Sequence, residues 1–167
     1  HIAWATSGAN VSRPFLVAMG HHRPHLPWNV PTRFYDLYGD PSAVPLAELQ
    51  EYPAPAPTIS WHPWFDQEYL NDTDTQQHTR RVAYYAACSY FDYHLGMVLD
   101  ALHASGQEAN TAVMMFGDHG WHLGERNMWE KKGLDELDTH IPLLVAAPWI
   151  PTASRGIITT ALAEAVD

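Results

Sequence analysis

Thr111-Ala112-Val113-Met114-Met115-Phe116-Gly117-Asp118-His119-Gly120-Trp121-His122-Leu123-Gly124-Glu125 is the stretch from which the rest of the chain is read. Thr111 to Phe116 is apolar and β-prone, the pattern of a strand covered on both faces, so a buried strand of an α/β sheet is expected there. It runs straight into a turn in which an acid and an imidazole stand between Gly117 and Gly120. Open α/β sheets place ligands just beyond the carboxyl ends of their strands. Glycines at such a turn permit positive φ and let a charged ligand approach the backbone. Asp118 and His119 are therefore the first candidates for a metal or anion site. The plain alternative for Asp118 is an Asx-turn between two glycines.

Working outward, Phe15 to Met19 is a short apolar run read as another buried strand. Gly20 ends it, and Arg23-Pro24 and Leu26-Pro27 keep the histidine-bearing loop that follows extended. Residues 29–63 are proline-rich, with Pro53, Pro55 and Pro57 alternating, and read as a long irregular excursion without helix, lying over the site. A helix is expected from Asp74 or Thr75 to about His103, with Val82, Tyr85, Cys88, Leu95, Val98 and Leu102 on one face and Gly106 as its stop. Pro142 to Ala147 reads as a third strand, and Thr159 to Val166 as the start of a helix. Strand, helix, strand, strand, helix points to an α/β fold whose few strands leave open edges.

A chain of 167 residues with 46% hydrophobic content is long enough for a domain with a real core. Nineteen acidic against nine basic residues give a net charge of −10, which excludes nucleic acid as a default partner. An anionic substrate would need a local cluster of lysine, histidine and metal to reverse that field. No apolar run is long enough to span a bilayer. The single cysteine, Cys88, cannot form an internal disulfide, and on the apolar helix face it reads as a small buried hydrophobe.

Gly117-Asp118-His119-Gly120 with Leu123-Gly124-Glu125, then Trp129-Glu130-Lys131, then Thr139-His140-Ile141-Pro142-Leu143-Leu144, resembles the sulfatase family of the alkaline-phosphatase-like superfamily. Within it the chain is most similar to iduronate-2-sulfatase and choline-sulfatase-like members. The run Pro14-Phe15-Leu16-Val17-Ala18-Met19-Gly20-His21-His22-Arg23-Pro24-His25-Leu26-Pro27-Trp28 is similar to the strand and histidine loop of that branch, and Tyr84 to Asp92 to its intervening helix. The resemblance implies a partial alkaline-phosphatase-like sandwich: a mixed, mostly parallel sheet with helices, incomplete at both ends. Residues 1–167 would then be the central segment of a sulfatase catalytic domain. It further implies a sulfated small molecule or sulfated sugar as substrate, and a secreted, periplasmic or lysosomal location.

On the same resemblance Asp118 and His119 are metal ligands, Lys131 binds the sulfate, and His22 contacts the ester and protonates the leaving alcohol. Lys131 carries the point charge that a charge-rich transition state needs, and histidine is the residue type suited to the proton transfer given to His22. Lys132 competes with Lys131, and His21 and His25 compete with His22. His25, His140 and Lys132 are the further substrate-binding candidates. The bland readings are a solvated surface lysine and a histidine loop that merely packs beside Trp28. His122 and Glu125 read as residues that orient the loop. Trp61, Trp64 and Trp129 are candidate sugar platforms, or simply core. Calcium is the expected cation. It prefers oxygen ligands, so the histidine leaves magnesium, manganese or zinc open.

Departures from the pattern matter as much. Sulfatases make a formylglycine nucleophile from a C/S-x-P-x-R motif and use two further acids near it. The sequence holds no such motif: Cys88 begins Cys-Ser-Tyr-Phe-Asp. The 167 residues are therefore expected to hold half an active site and to be inactive alone. The alternatives are a phosphoester or phosphonate hydrolase of the same superfamily, and an inactive binding or structural chain.

Overall fold

A computed structural model describes residues 2, 13–48, 57, 72–131 and 133–164. Its spine is one long helix. We label the regular elements α1 (Thr32–Tyr35), α2 (Asp74–Ala104), β1 (Val113–Phe116), β2 (His122–Leu123), β3 (Trp129–Glu130), α3 (Glu136–Thr139) and β4 (Leu143–Ala146).

Helix α2 begins where local chemistry starts it. The Thr73 backbone N–H donates to Gln76 Oε1 at 2.9 Å, and the Gln76 N–H donates to Thr73 Oγ1 at 3.4 Å, a capping box one residue ahead of the expected start. It ends at Ser105, followed by Gly106 with φ +71, the left-handed stop that its glycine suggests. Val82, Ala86, Ala87 and Leu102 are buried on its inner face. The segment 28–48 packs along it. Phe34 meets Tyr90 and Tyr93 edge-on at 5.1 and 5.8 Å, and Trp28 meets Tyr84 at 6.2 Å. The Tyr38 hydroxyl donates to the Tyr85 carbonyl at 3.0 Å, and His78 Nδ1 donates to the Val44 carbonyl at 2.7 Å.

The strands form two antiparallel ladders. Val113 pairs with Ala146 through to Phe116 with Leu143, and His122–Leu123 pair with Glu130–Trp129. The β2–β3 ribbon closes through Arg126 and Asn127, both left-handed (φ 57° and 56°), with the Met128 N–H donating to the Glu125 carbonyl at 2.9 Å. This is the type I′ geometry that matches strand twist.

Several expectations are corrected. β1 is a strand, but Met114 is 62% and Phe116 58% exposed, and β4 is exposed along its length. Residues apolar on both faces suit double coverage, and the described residues provide only one neighbouring strand. Phe15 to Met19 forms no strand among the described residues, and Leu16 is 94% exposed. An extended segment becomes a strand only when its backbone groups find a ladder. Residues 159–164 are exposed and not helical. An isolated short segment cannot overcome helix nucleation without packing. The proline-rich excursion does contain a helical turn, α1, entered from Pro31 at φ −57. Proline disrupts helix interiors but suits helix starts. Pro53 and Pro55 lie outside the described residues.

Candidate active site

The residues leaving β1 are held against the segment that leads into β4. The Gly117 N–H donates to the Pro142 carbonyl at 3.1 Å, and the Gly120 N–H donates to the Asp138 carbonyl at 2.7 Å. A Cβ at position 120 would stand 1.8 Å from the Leu137 carbonyl oxygen. Close approach, and not positive φ, is why glycine stands here: neither Gly117 nor Gly120 has a positive φ.

Between these ties the Asp118 carboxylate faces solvent, with Oδ2 3.5 Å from His119 Nε2. His119 Nδ1 lies 2.8 Å from the Gly120 carbonyl oxygen. A carbonyl only accepts, so Nδ1 carries the proton and Nε2 keeps its lone pair. That lone pair accepts from Lys131 Nζ at 2.9 Å. Lys131 also lies over the Trp121 ring, 5.6 Å from its centroid, a cation–π arrangement.

Trp121 gathers the remaining candidates. His119 and Tyr84 stack on it at 6.2 and 5.9 Å between ring centroids, and His25 meets it edge-on at 5.5 Å. His22 lies 5.0 Å from His25. His22 Nε2 and His25 Nδ1 each donate to the Leu26 carbonyl at 2.9 Å, which leaves His22 Nδ1 and His25 Nε2 as the nitrogens with lone pairs. Arg23 fixes this loop by donating to the His25 and Asn29 carbonyls at 3.2 and 3.0 Å. Asp118, His119, Lys131, His25 and His22 therefore form one connected cluster. His140 stands apart: its Nδ1 lies 3.1 Å from Glu136 Oε1, with both side chains exposed. Trp129 is 4% exposed and belongs to the core, so it is no sugar platform. Lys132, Trp61 and Trp64 lie outside the described residues.

The cluster fits a divalent cation as a partial site. An oxygen and a nitrogen 3.5 Å apart are spaced to share one cation once Lys131 turns its ammonium away, since the single Nε2 lone pair cannot serve both. Two donors are fewer than the roughly six to eight ligands calcium takes. A second trio of ligating atoms, within 4.8 Å of one another, belongs to His122, Asp135 and Asp138.

Behind the cluster, burial pushes the Tyr84 hydroxyl far above the usual tyrosine range. Burial likewise raises the Cys88 thiol to about 11, against a smaller opposing effect of the hydrogen bond with Tyr84. Cys88 is half-buried, short of the fully buried hydrophobe expected of it. Glu125 takes the loop-orienting role expected of it: Oε2 accepts from the Leu123 N–H at 2.6 Å, and Oε1 lies 3.1 Å from Arg81 Nη1. Arg81 also donates to the Leu123 carbonyl at 2.6 Å. Sequence reasoning passed over Trp121, Arg81 and Asp138. An arginine next to Val82 on the inward face was the one available signal.

The solved structure of a phosphonate monoester hydrolase from Silicibacter pomeroyi superposes on the chain with a TM-score of 0.60 at 27% identity, over 76% of this chain and 27% of that one. The fold is thus a part of the α/β architecture of alkaline-phosphatase-like hydrolases. The sulfatase sequence profile matches residues 55–164, and the chain belongs to the sulfatase family. Iduronate 2-sulfatase of Homo sapiens is 34% identical over 149 residues, 81% of this chain. A sulfatase of Formosa agariphila is 34% identical over 157 residues, 87% of this chain. The chain spans 27% and 30% of the lengths of these two relatives. No helix among the described residues is long and apolar enough to cross a membrane.

Proposed function

We propose that this chain contributes the metal-binding and anion-binding half of a sulfate-ester hydrolase site, with a sulfated small molecule or sugar as substrate. The observation that carries the reading is the junction at His119. One imidazole is hydrogen-bonded to an ammonium at 2.9 Å and lies 3.5 Å from a carboxylate, on a loop beyond a strand's carboxyl end.

Asp118 and His119 would hold a divalent cation, calcium or a harder-to-distinguish magnesium, manganese or zinc. When bound, that cation would polarise an ester oxygen. Lys131 supplies the complementary charge. Its ammonium lies over the Trp121 face with His119 Nε2 as its partner among the described residues, and would give up that bond to an anion when Nε2 takes the cation. A sulfuryl group spreads negative charge over its peripheral oxygens in the transition state, and a positioned cation stabilises that charge more than the ground state. His22 is the proton donor to the leaving alcohol, through Nδ1 when that nitrogen is protonated, because Nε2 is engaged by Leu26. His25 holds the loop and lines the cluster. His140 and Lys132 are proposed only as outer contacts. The nucleophile, a formylglycine on the family pattern, and two more acids would come from outside these 167 residues.

The test is an assay of the 167-residue chain, and of a longer protein that adds a C/S-x-P-x-R segment, against an aryl sulfate and an aryl phosphonate. The chain alone should be inactive. The longer protein should cleave the sulfate ester and lose activity in Lys131→Ala. Turnover by the chain alone that survives Lys131→Ala would refute the proposal. Preference for the phosphonate would favour the second reading, a phosphonate monoester hydrolase, which the structural likeness supports.

A further inference from the structure

His122 is the one large side chain among the described residues that is fully buried, and it is polar. Its Nε2 lies 2.9 Å from Asp138 Oδ2 and 3.3 Å from Asp135 Oδ1. Nδ1 has no hydrogen-bond partner among the described residues, and neither has Asp138 Oδ1. Asp135 is committed elsewhere as well. Its Oδ1 accepts from the Leu137 N–H at 3.0 Å, capping α3, and its Oδ2 lies 2.6 Å from Arg126 Nη1. Packing around the pair is tight: a Cβ at Gly133 would stand 2.2 Å from Asp138 Oδ2.

A buried, hydrogen-bonded polar pair is seldom the most stabilising way to fill such a space; apolar side chains of similar volume often do as well or better. What the pair adds is direction. Asp138 holds His122 with its side chain and the Gly120 N–H with its carbonyl, 2.7 Å away. The loop bearing Asp118 and His119 is thereby tied on its far side to α3, as Gly117 ties its near side to Pro142.

We infer that His122 and Asp138 form a buried clamp that positions the Asp118–His119 loop. They are positioning residues, acting through the Gly120 N–H, and do not touch substrate. The functional half of this inference rests on the reading of Asp118 and His119 as metal ligands; the clamp itself does not.

The test uses Asp138→Asn, which keeps shape, and His122→Gln, which keeps a donor. Amide hydrogen exchange is compared at residues 118–121 and in α2, and Mn2+ is titrated as a paramagnetic probe of the loop. Both variants should exchange at least tenfold faster at Gly120 and its neighbours with α2 unchanged, because local opening is then freed without global unfolding. Mn2+ should bind each variant at least fivefold more weakly than the parent, with the paramagnetic broadening centred on residues 118 and 119; broadening centred on residues 122, 135 and 138 would make these residues ligands and overturn the clamp. Loop exchange unchanged in both variants overturns the clamp. Equal acceleration in the loop and α2 also overturns it, by showing a general structural role. The exchange comparison decides the clamp whether or not Mn2+ affects the parent chain, whose two donors are fewer than a divalent cation takes.

Discussion

Gly120→Ala is the sharpest perturbation the structure offers, because a single methyl group meets backbone. The added Cβ would lie 1.8 Å from the Leu137 carbonyl oxygen and 2.7 Å from its carbon. Neither atom can rotate away, so the loop or α3 must move by an ångström or more. That movement breaks the 2.7 Å bond from the Gly120 N–H to the Asp138 carbonyl. Overpacking costs about 1–3 kcal/mol, and leaving a buried backbone group without its partner costs about 1–3 kcal/mol. A total near 3 kcal/mol corresponds to a fall in Tm of about 6–12 °C for a chain of this size. Thermal unfolding followed by circular dichroism measures it. Gly20→Ala is the internal control: φ at Gly20 is not positive and a Cβ there meets nothing within 4 Å. Its Tm should match the parent. If Gly120→Ala melts within a degree of Gly20→Ala, the close packing of the loop on α3 is wrong, and the site geometry built on it falls.

Cys88, with its thiol raised from 9.0 to about 11 by burial, should react with iodoacetamide at pH 8 about a hundredfold more slowly than a free cysteine, from its thiolate fraction alone. The fold disfavours the thiolate, so this residue's contribution to stability is undiminished below the free-thiol value of 9.0 and falls as pH rises from there towards 11. A labelling rate equal to that of a free thiol refutes the burial. In an active longer protein, Lys131→Ala should lower turnover of an aryl sulfate by about a hundredfold, from the loss of one positioned charge, while Lys132→Ala changes it little. If Lys132→Ala is the crippling change, the two lysines have exchanged roles. At Asn127, φ 56°, Asn127→Val should destabilise by about 1–2 kcal/mol and Asn127→Gly should not, as urea denaturation would show. Equal midpoints for the two variants would mean that the β2–β3 turn is not left-handed.

Local chemistry in the sequence was enough to locate α2, since its apolar residues recur at three-to-four spacing and Gly106 stops it; the Thr73–Gln76 capping box that starts it is a feature the structure added. It was enough for β1 and β4 as strands, since their apolar runs are bounded by Gly117 and Pro142. It was also enough for the family, because Gly-Asp-His-Gly, the downstream lysine and His-Ile-Pro-Leu keep their order and spacing. These signals lie within a few residues of one another and need no partner from afar. Tertiary structure alone decided the rest. Phe15 to Met19 and Thr159 to Glu164 carry the right composition for regular structure, yet they pair with no strand among the described residues and remain irregular. Glycine at 120 is explained by a carbonyl seventeen residues away, and not by its own φ. Trp121 reads as an ordinary aromatic until Tyr84, His25 and Lys131 arrive around it from three separate segments. His122 reads as one more histidine until Asp138 arrives beside it. A backbone signal is set by adjacent residues, whereas a site is set by which distant side chains the packing brings within about 3 Å of one another, the range in which hydrogen bonds act.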